Sequence, residues 1–204
     1  MAHSYRFGLG SLAAFALCLT ASSPAFAHTQ VGVAGGFLSG FTHPIFGADH
    51  LVAMVAVGLW GAQLGSPAIW VLPIAFPSVM AIGGLFGVLG VPLPMVELLV
   101  SGSAVVLGLM VALNARPPLV IAGLIVAAFA IFHGHAHGAE LPEAANPLAY
   151  GVGFVLATGL LHLCGIIIGL LVAWPMGARL VRGCGVLIAC LGCYFVAGWA
   201  GAIA

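Results

Sequence analysis

Two imidazoles, one carboxylate and one thioether stand in an otherwise apolar stretch near the start of the chain, as His43, Asp49, His50 and Met54. A membrane interior offers no water to solvate such groups, so they pair with one another, line a wet cavity or hold an ion. On a helix the two histidines point the same way, with Met54 one turn below His50. Asp49 points about 100° away. Asp49 can therefore bind the same ion as the two histidines only if a helix break at Pro44 changes the direction of His43. Otherwise Asp49 fixes the tautomer of an imidazole.

A second group of metal-binding residues lies nearly a hundred residues later. His133, His137 and Glu140 are spaced at i, i+4 and i+7, which places them along one stripe of a helix. Imidazole and carboxylate together suit zinc, nickel, copper or iron(II). His135 falls on another face. The alternative for this group is a solvated, histidine-rich helix end, and for the first group a hydrogen-bonded network between helices.

Two further polar residues lie within apolar stretches, and each has two interpretations. His162 is the histidine placed deepest, either as a lower station on an ion path or as a group bonded to a neighbouring carbonyl. Glu97 falls in the first turn of a predicted helix. There the helix dipole alone favours a carboxylate, but the residue could equally complete the metal site.

The composition identifies an integral membrane protein. The chain is 63% hydrophobic and 4% charged, with a mean hydropathy of +1.28, whereas a soluble domain carries about a quarter charged residues. Long apolar blocks between Pro, Gly or charged residues indicate helices rather than a barrel. Four basic residues cannot neutralise a nucleic acid backbone, so nucleic acid is excluded as a partner. The hydrophobic composition makes a lipid bilayer the expected surroundings. The cysteines are interpreted as buried free thiols.

Residues 1–27 have the features of a cleavable secretory signal peptide. Arg6 supplies the positive charge, an apolar run follows, and Ala25-Phe26-Ala27 forms the cleavage pattern. An uncleaved first helix is the alternative. Cleavage makes His28 the mature N-terminus, where its amine and imidazole could chelate a metal. Residues 28–204 then form a single domain.

The mature chain is predicted to be an all-α, polytopic membrane bundle of six transmembrane helices. The apolar residues 31–64 would make a helix of about 50 Å, which exceeds a hydrocarbon core of about 30 Å, so the first helix is expected to break at Pro44. The other five spans are predicted to start at Pro67, Pro94, Pro118, Asn146 and about residue 180. Small residues four apart, such as Gly83 and Gly87, are expected at close helix contacts.

The charges predict the orientation. With the mature N-terminus outside, Arg116, Arg179 and Arg182 fall in cytoplasmic loops and Glu140 in an outer loop, as the positive-inside rule requires. The expected location is the inner, cytoplasmic membrane of a bacterium. In this arrangement the two metal-binding groups and Glu97 converge toward the outer side.

Three motifs carry a resemblance to a known family. They are His43-Pro44-x-x-Gly47-x-Asp49-His50-x-x-x-Met54, Phe132-His133-Gly134-x-Ala136-His137-Gly138-x-Glu140 and Leu160-Leu161-His162. Together they resemble the HupE/UreJ family of hydrogenase and urease accessory membrane proteins, over essentially the whole chain. The resemblance implies a nickel permease whose functional groups are His43, Asp49, His50, His133, His137 and Glu140. His135 and His28 inherit no role.

The leading hypothesis is therefore a nickel permease that holds no permanently bound cofactor and is not an enzyme. Ligand chemistry leaves cobalt and zinc open as cargo, and a cytoplasmic nickel acceptor and the oligomeric state also stay open. One alternative is an intramembrane zinc hydrolase, because three histidines and an acid suit a zinc-activated water. Another is a metal sensor or chaperone-like membrane partner that does not transport.

Overall fold

The computed structural model describes residues 32–141 and 146–201, which form seven α-helices and one 3-10 helix, without strands. The predicted signal peptide and His28 lie outside these residues. The α-helices are α1 Gly32–Phe46, α2 Ala48–Leu64, α3 Ala68–Val88, α4 Val96–Ala112, α5 Leu119–Ala139, α6 Pro147–Gly169 and α7 Pro175–Trp199, and the 3-10 helix Leu170–Ala173 extends α6.

Length and composition make this an all-α membrane bundle. Four helical segments are long and apolar enough to cross a bilayer, namely α3, α5, α7, and α6 with its 3-10 extension. The bent pair α1–α2 supplies a fifth. The 17-residue α4 is apolar but shorter, near the lower limit for a span. The six predicted spans thus correspond to six apolar segments, while their exact number stays a prediction.

The first helix breaks at Gly47, not at Pro44 as predicted. Pro44 lies inside α1, and the axes of α1 and α2 differ by 77° across Gly47. Pro44 removes its own backbone donor but leaves the next residues free to bond. The Gly47 amide donates to the His43 carbonyl (2.9 Å) and closes the last turn of α1. Gly47 then takes an extended conformation and α2 begins.

Most other helix starts follow the sequence signals, although α4 begins at Val96, two residues after the predicted Pro94, and the last helix differs more. α3 and α5 begin directly after Pro67 and Pro118, and the Asn146 side chain accepts a hydrogen bond from the Ala149 amide (2.9 Å), which caps α6. The last helix starts at Pro175, not near residue 180. Proline needs no amide hydrogen in a first turn, so the predicted loop is helical and contains Arg179 and Arg182.

Glycines set the helix pairs, as predicted from their spacing. A Cβ added at Gly83 would collide with the Ile131 carbonyl, and one at Gly134 with the Met80 carbonyl, so α3 and α5 pack backbone to backbone. Gly58 meets the His162 carbonyl in the same way and joins α2 to α6. The four described cysteines are free, as predicted, but they are not buried: Cys164, Cys190 and Cys193 are exposed on the bundle and Cys184 is half-buried.

Side chains from two helices tie the C-terminal end of α4 to the bundle. Trp60 Nε1 donates to the Ala115 carbonyl (2.9 Å), and Gln63 Nε2 to the Val111 carbonyl (3.0 Å). Arg182 Nε donates to the Ala112 carbonyl (2.8 Å). The last carbonyls of a helix have no partner within it, so these bonds satisfy buried acceptors and fix α2, α4 and α7 at one end.

Candidate metal-binding site

Four histidines from three helices form a continuous row at the opposite end of the bundle. The ring centroids of His43 and His137 are 4.7 Å apart, those of His137 and His50 4.2 Å, and those of His50 and His133 4.7 Å. His50, His133 and His137 are buried, and His43 is half-buried. Residues separated by ninety positions thus meet in one cluster, as the sequence predicted.

The helix arrangement explains this convergence. The bend at Gly47 allows the last turn of α1 and the first turn of α2 to face the same space, so that His43 and His50 lie 6.2 Å apart. His133 and His137 occupy one face of α5, one turn apart. The glycine contacts between α3 and α5 hold that face against the bundle.

The outermost part of the cluster is a potential three-ligand site. His43, His137 and Glu140 each offer a ligand atom, and these three atoms lie within 4.8 Å of one another. His43 Nε2 is 3.9 Å from Glu140 Oε2. Glu140 caps the end of α5, where partial burial, helped by the charge of Glu97, raises the pKa of its carboxyl group. A cation bound beside this carboxylate would favour its ionised form and so lower this pKa.

Asp49 fixes the tautomer of His50. Its Oδ1 lies 2.8 Å from His50 Nδ1 and also accepts a hydrogen bond from the His50 amide (2.8 Å). An ionised carboxylate only accepts hydrogen bonds, so Nδ1 carries the proton and Nε2 keeps its lone pair. His50 Nε2 is buried and has no partner. Asp49 therefore orients the His50 ring, while its predicted role as the partner of a metal ligand stays a prediction.

Ser103 does the same for His133. The Ser103 hydroxyl lies 2.6 Å from the Val100 carbonyl and 2.9 Å from His133 Nε2. A carbonyl only accepts, so the hydroxyl hydrogen points to Val100 and His133 donates from Nε2 to Ser103 Oγ. His133 Nδ1 then holds a free lone pair and is buried without a partner. This serine is not activated as a nucleophile, because the histidine donates to it.

The buried nitrogen lone pairs are the groups of this cluster that could bind a metal ion. Besides His50 Nε2 and His133 Nδ1, neither nitrogen of His137 has a hydrogen-bond partner. Buried polar atoms are normally satisfied, so several unsatisfied imidazole nitrogens in contact indicate a missing shared partner. A divalent cation of the borderline class fits this nitrogen-rich set.

Aromatic side chains form the walls of the cluster. Measured between ring centroids, Phe154 lies 4.0 Å from His137 and Tyr150 lies 6.4 Å from His43. Phe76 lies 5.5 Å from His133. An apolar groove of about 690 Å³ between α3, α5 and α6 reaches His137 from the side. The sequence did not reveal these aromatic residues, because single aromatic residues in apolar spans have no informative spacing. It indicated Ser103 only as half of a possible Ser–His pair, without the surrounding pattern of a nucleophile.

The remaining predicted site residues lie outside the row. Glu97 is exposed, and it lines a separate cavity of about 420 Å³ with Asp49 and Ser101. His162 is buried further along α6, and Met54 is fully buried one turn below His50. His135 faces away, as predicted, and its Nε2 lies 2.7 Å from the Val91 carbonyl.

Comparison with known proteins identifies the family. The sequence profile described as HupE / UreJ protein matches residues 16–195. Protein HupE of Rhizobium leguminosarum bv. viciae is 42% identical over 189 residues, which cover 92% of this chain and 96% of that protein. No solved structure matches the chain. These similarities give no support to the hydrolase alternative. The chain belongs to the HupE/UreJ family.

Proposed function

We propose that this membrane protein is a permease for nickel(II), which supplies the metal for hydrogenase or urease maturation. The observation that carries the proposal is the row of four contacting imidazoles, three of which have buried nitrogens without a hydrogen-bond partner. The family membership points to an accessory protein rather than an enzyme. Nickel is the cargo and does not remain bound, so the protein needs no resident cofactor.

Capture and dehydration are the tasks of the outer residues. Glu140 is exposed, and with His43 and His137 it offers three ligands at the mouth of the cluster. Glu97 adds negative charge nearby and raises the local concentration of cations. Imidazoles replace the water of the ion as it moves toward His50 and His133. Neutral nitrogen ligands bind firmly enough to strip water yet release the ion, as transport requires.

We place the protein in the bacterial inner membrane with the imidazole cluster toward the periplasm. Arg182 bonds to the end of α4, and Arg116 follows that end. Both therefore lie at the end of the bundle opposite Glu140. Basic residues stay on the cytoplasmic side, so this distribution supports an outward-facing metal site. A cytoplasmic nickel acceptor and the oligomeric state are left open.

Uptake of radiolabelled nickel into proteoliposomes containing only this chain tests the proposal, with cobalt and zinc as competitors. We expect uptake by the wild-type protein and its loss in His50→Ala, because this change removes an oriented ligand. His135→Ala is the matched control, since it removes a histidine outside the row and should retain uptake. If His50→Ala takes up nickel at the wild-type rate, the proposed site is wrong. If the wild-type protein takes up no nickel, the proposed transport is wrong. Stoichiometric metal retained with cleavage of lipid or peptide would favour the hydrolase.

A further inference from the structure

The buried face of α6 continues from the imidazole cluster toward the other end of the bundle. Tyr150, Phe154, Thr158 and His162 follow one another at four-residue spacing and are all buried. Tyr150 and Phe154 border His43 and His137. Thr158 and His162 lie one and two turns further along, about 6 and 12 Å from Phe154. This face therefore extends from the outer site into the bundle.

Both polar residues at the far end of this face lack partners. Thr158 Oγ1 and both ring nitrogens of His162 are buried and form no hydrogen bond of ordinary geometry. A buried threonine in a helix usually bonds to the carbonyl one turn earlier, and a buried histidine normally finds a partner. Two adjacent unsatisfied groups indicate a polar or charged guest at this position.

A backbone carbonyl on α3 lies against the same position. Pro73 and Pro77 are both inside α3. Because Pro77 has no amide hydrogen, the carbonyl of Pro73 loses its normal partner in the helix. Phe76, in the same part of α3, contacts the His162 ring (5.4 Å between ring centroids), so this part of α3, with its free carbonyl, lies beside His162. An imidazole, a hydroxyl one turn away on the same face of α6, and an unbonded carbonyl on the neighbouring α3 thus lie in one region of the bundle.

One aromatic ring separates this position from the outer cluster. Phe76, which is fully buried, lies 5.5 Å from His133 and 5.4 Å from His162, measured between ring centroids. It packs edge-on against both imidazoles. Hydrophobic constrictions of this kind gate pores, and the face of a phenyl ring also attracts cations. The two missing hydrogen bonds at Pro73 and Pro77 soften the helix at this ring.

We propose that His162, Thr158 and the Pro73 carbonyl form a second, inner cation site, and that Phe76 is the partition between it and the outer imidazole site. This inference rests on the proposed nickel transport. The inner site takes a divalent cation that has already lost most of its water. It holds the ion more weakly than the outer site because it offers one imidazole instead of several.

Binding and transport measured on the same variants test the inner site. His162→Ala and the similarly sized His162→Gln should bind nickel at the outer site like the wild type in equilibrium dialysis. Their proteoliposome uptake should fall about tenfold or more. Thr158→Val should slow uptake less. Unchanged uptake in both His162 variants would overturn the proposal, as would loss of outer binding equal to that of His50→Ala. Lack of uptake by the wild type would instead refute the proposed function.

Substitutions of opposite size test the partition. Phe76→Trp should keep outer binding but lower nickel uptake about tenfold or more, because a larger ring closes the constriction. Phe76→Ala should open it and make the proteoliposomes leak magnesium or protons. Phe86→Ala is the control, the same change ten residues further along α3 and without an expected leak. The partition would be overturned if both Phe76 variants match the Phe86→Ala control in nickel binding, uptake and leakage.

Discussion

At the scale of single residues, the proposed metal site depends on side chains that hold its histidines in place rather than on the histidines alone. Asp49 and Ser103 each accept a hydrogen bond from a ring N–H, of His50 and His133 respectively, and leave the other ring nitrogen of each histidine free. The direction of the Ser103 bond also separates a metal site from a serine nucleophile, because the histidine donates to the hydroxyl. Hydrogen-bond direction therefore distinguishes functions that composition alone left open.

Ser103→Ala should weaken nickel binding about tenfold, because the His133 ring loses the bond that fixes its tautomer. Ser103→Thr keeps the hydroxyl and should bind like the wild type. Equilibrium dialysis of the purified protein measures both. Ser78→Ala is the control, since that hydroxyl bonds only within α3, to the Ile74 carbonyl. Equal affinity in Ser103→Ala and the wild type would contradict this role.

Glu97 and Glu140, at the outer end of the bundle, allow a prediction about the pKa of Glu140. The charge of Glu97 contributes to the raised pKa of Glu140, so Glu97→Gln should lower that pKa. The Glu140 carboxylate should then stay ionised to lower pH. Infrared titration of the carboxyl band can follow this, because the whole chain has only four acidic residues, and Glu140→Gln identifies the band. An unchanged or raised midpoint in Glu97→Gln would contradict the coupling.

At the scale of helices, glycine decides which elements pair. Close contact between α3 and α5 places His133 and His137 on a fixed face, and the bend at Gly47 brings His43 to them. Membrane helices gain little from burying apolar surface against each other, so backbone contact through small residues contributes much of the packing. The site is therefore only as ordered as these contacts.

Gly134→Ala should destabilise the bundle by about 1–3 kcal/mol, because the added Cβ collides with the Met80 carbonyl. Thermal unfolding in detergent, with nickel uptake as a second readout, measures this. Gly123→Ala is the matched control on the same helix, where an added Cβ meets nothing within 4 Å. A melting temperature equal to that of the control would show that the contact is not rigid.

Much of the helix arrangement was predictable, because Pro67, Pro118 and Asn146 are local start signals. The two larger boundary errors arose because Pro44 and Pro175 were interpreted as helix breaks. Pro44 instead lies inside α1, and Pro175 stands in the first turn of α7, where no amide hydrogen is needed. The convergence of His43 with His137 followed from span lengths. The role of Phe76, and that of Ser103 as a hydrogen-bond acceptor for His133, could not be predicted, because these roles depend on which residues of other helices face them.

At the scale of the whole molecule, the two ends have different chemistry. Imidazoles and carboxylates occupy one end, and arginines and backbone-capping bonds occupy the other. This polarity predicts the orientation in the membrane. Alkaline phosphatase fused after Val91 should be active, because His135 ties this segment to the metal-binding end. A fusion after Ala115 should be inactive, and the reverse pattern would contradict the orientation.

The backbone contacts between α3 and α5 have a consequence for motion. Gly83, Gly134 and Gly138 leave no space for these helices to slide past each other, so a shift of one displaces the other. Phe76 on α3 therefore travels with His133 and His137 on α5, whereas His43, His50 and His162 belong to the neighbouring group formed by α1, α2 and α6. A small tilt between the two groups would change only the contacts that cross between them, namely His43 and His50 with the α5 histidines and Phe76 with His162, so the proposed outer and inner sites would change together.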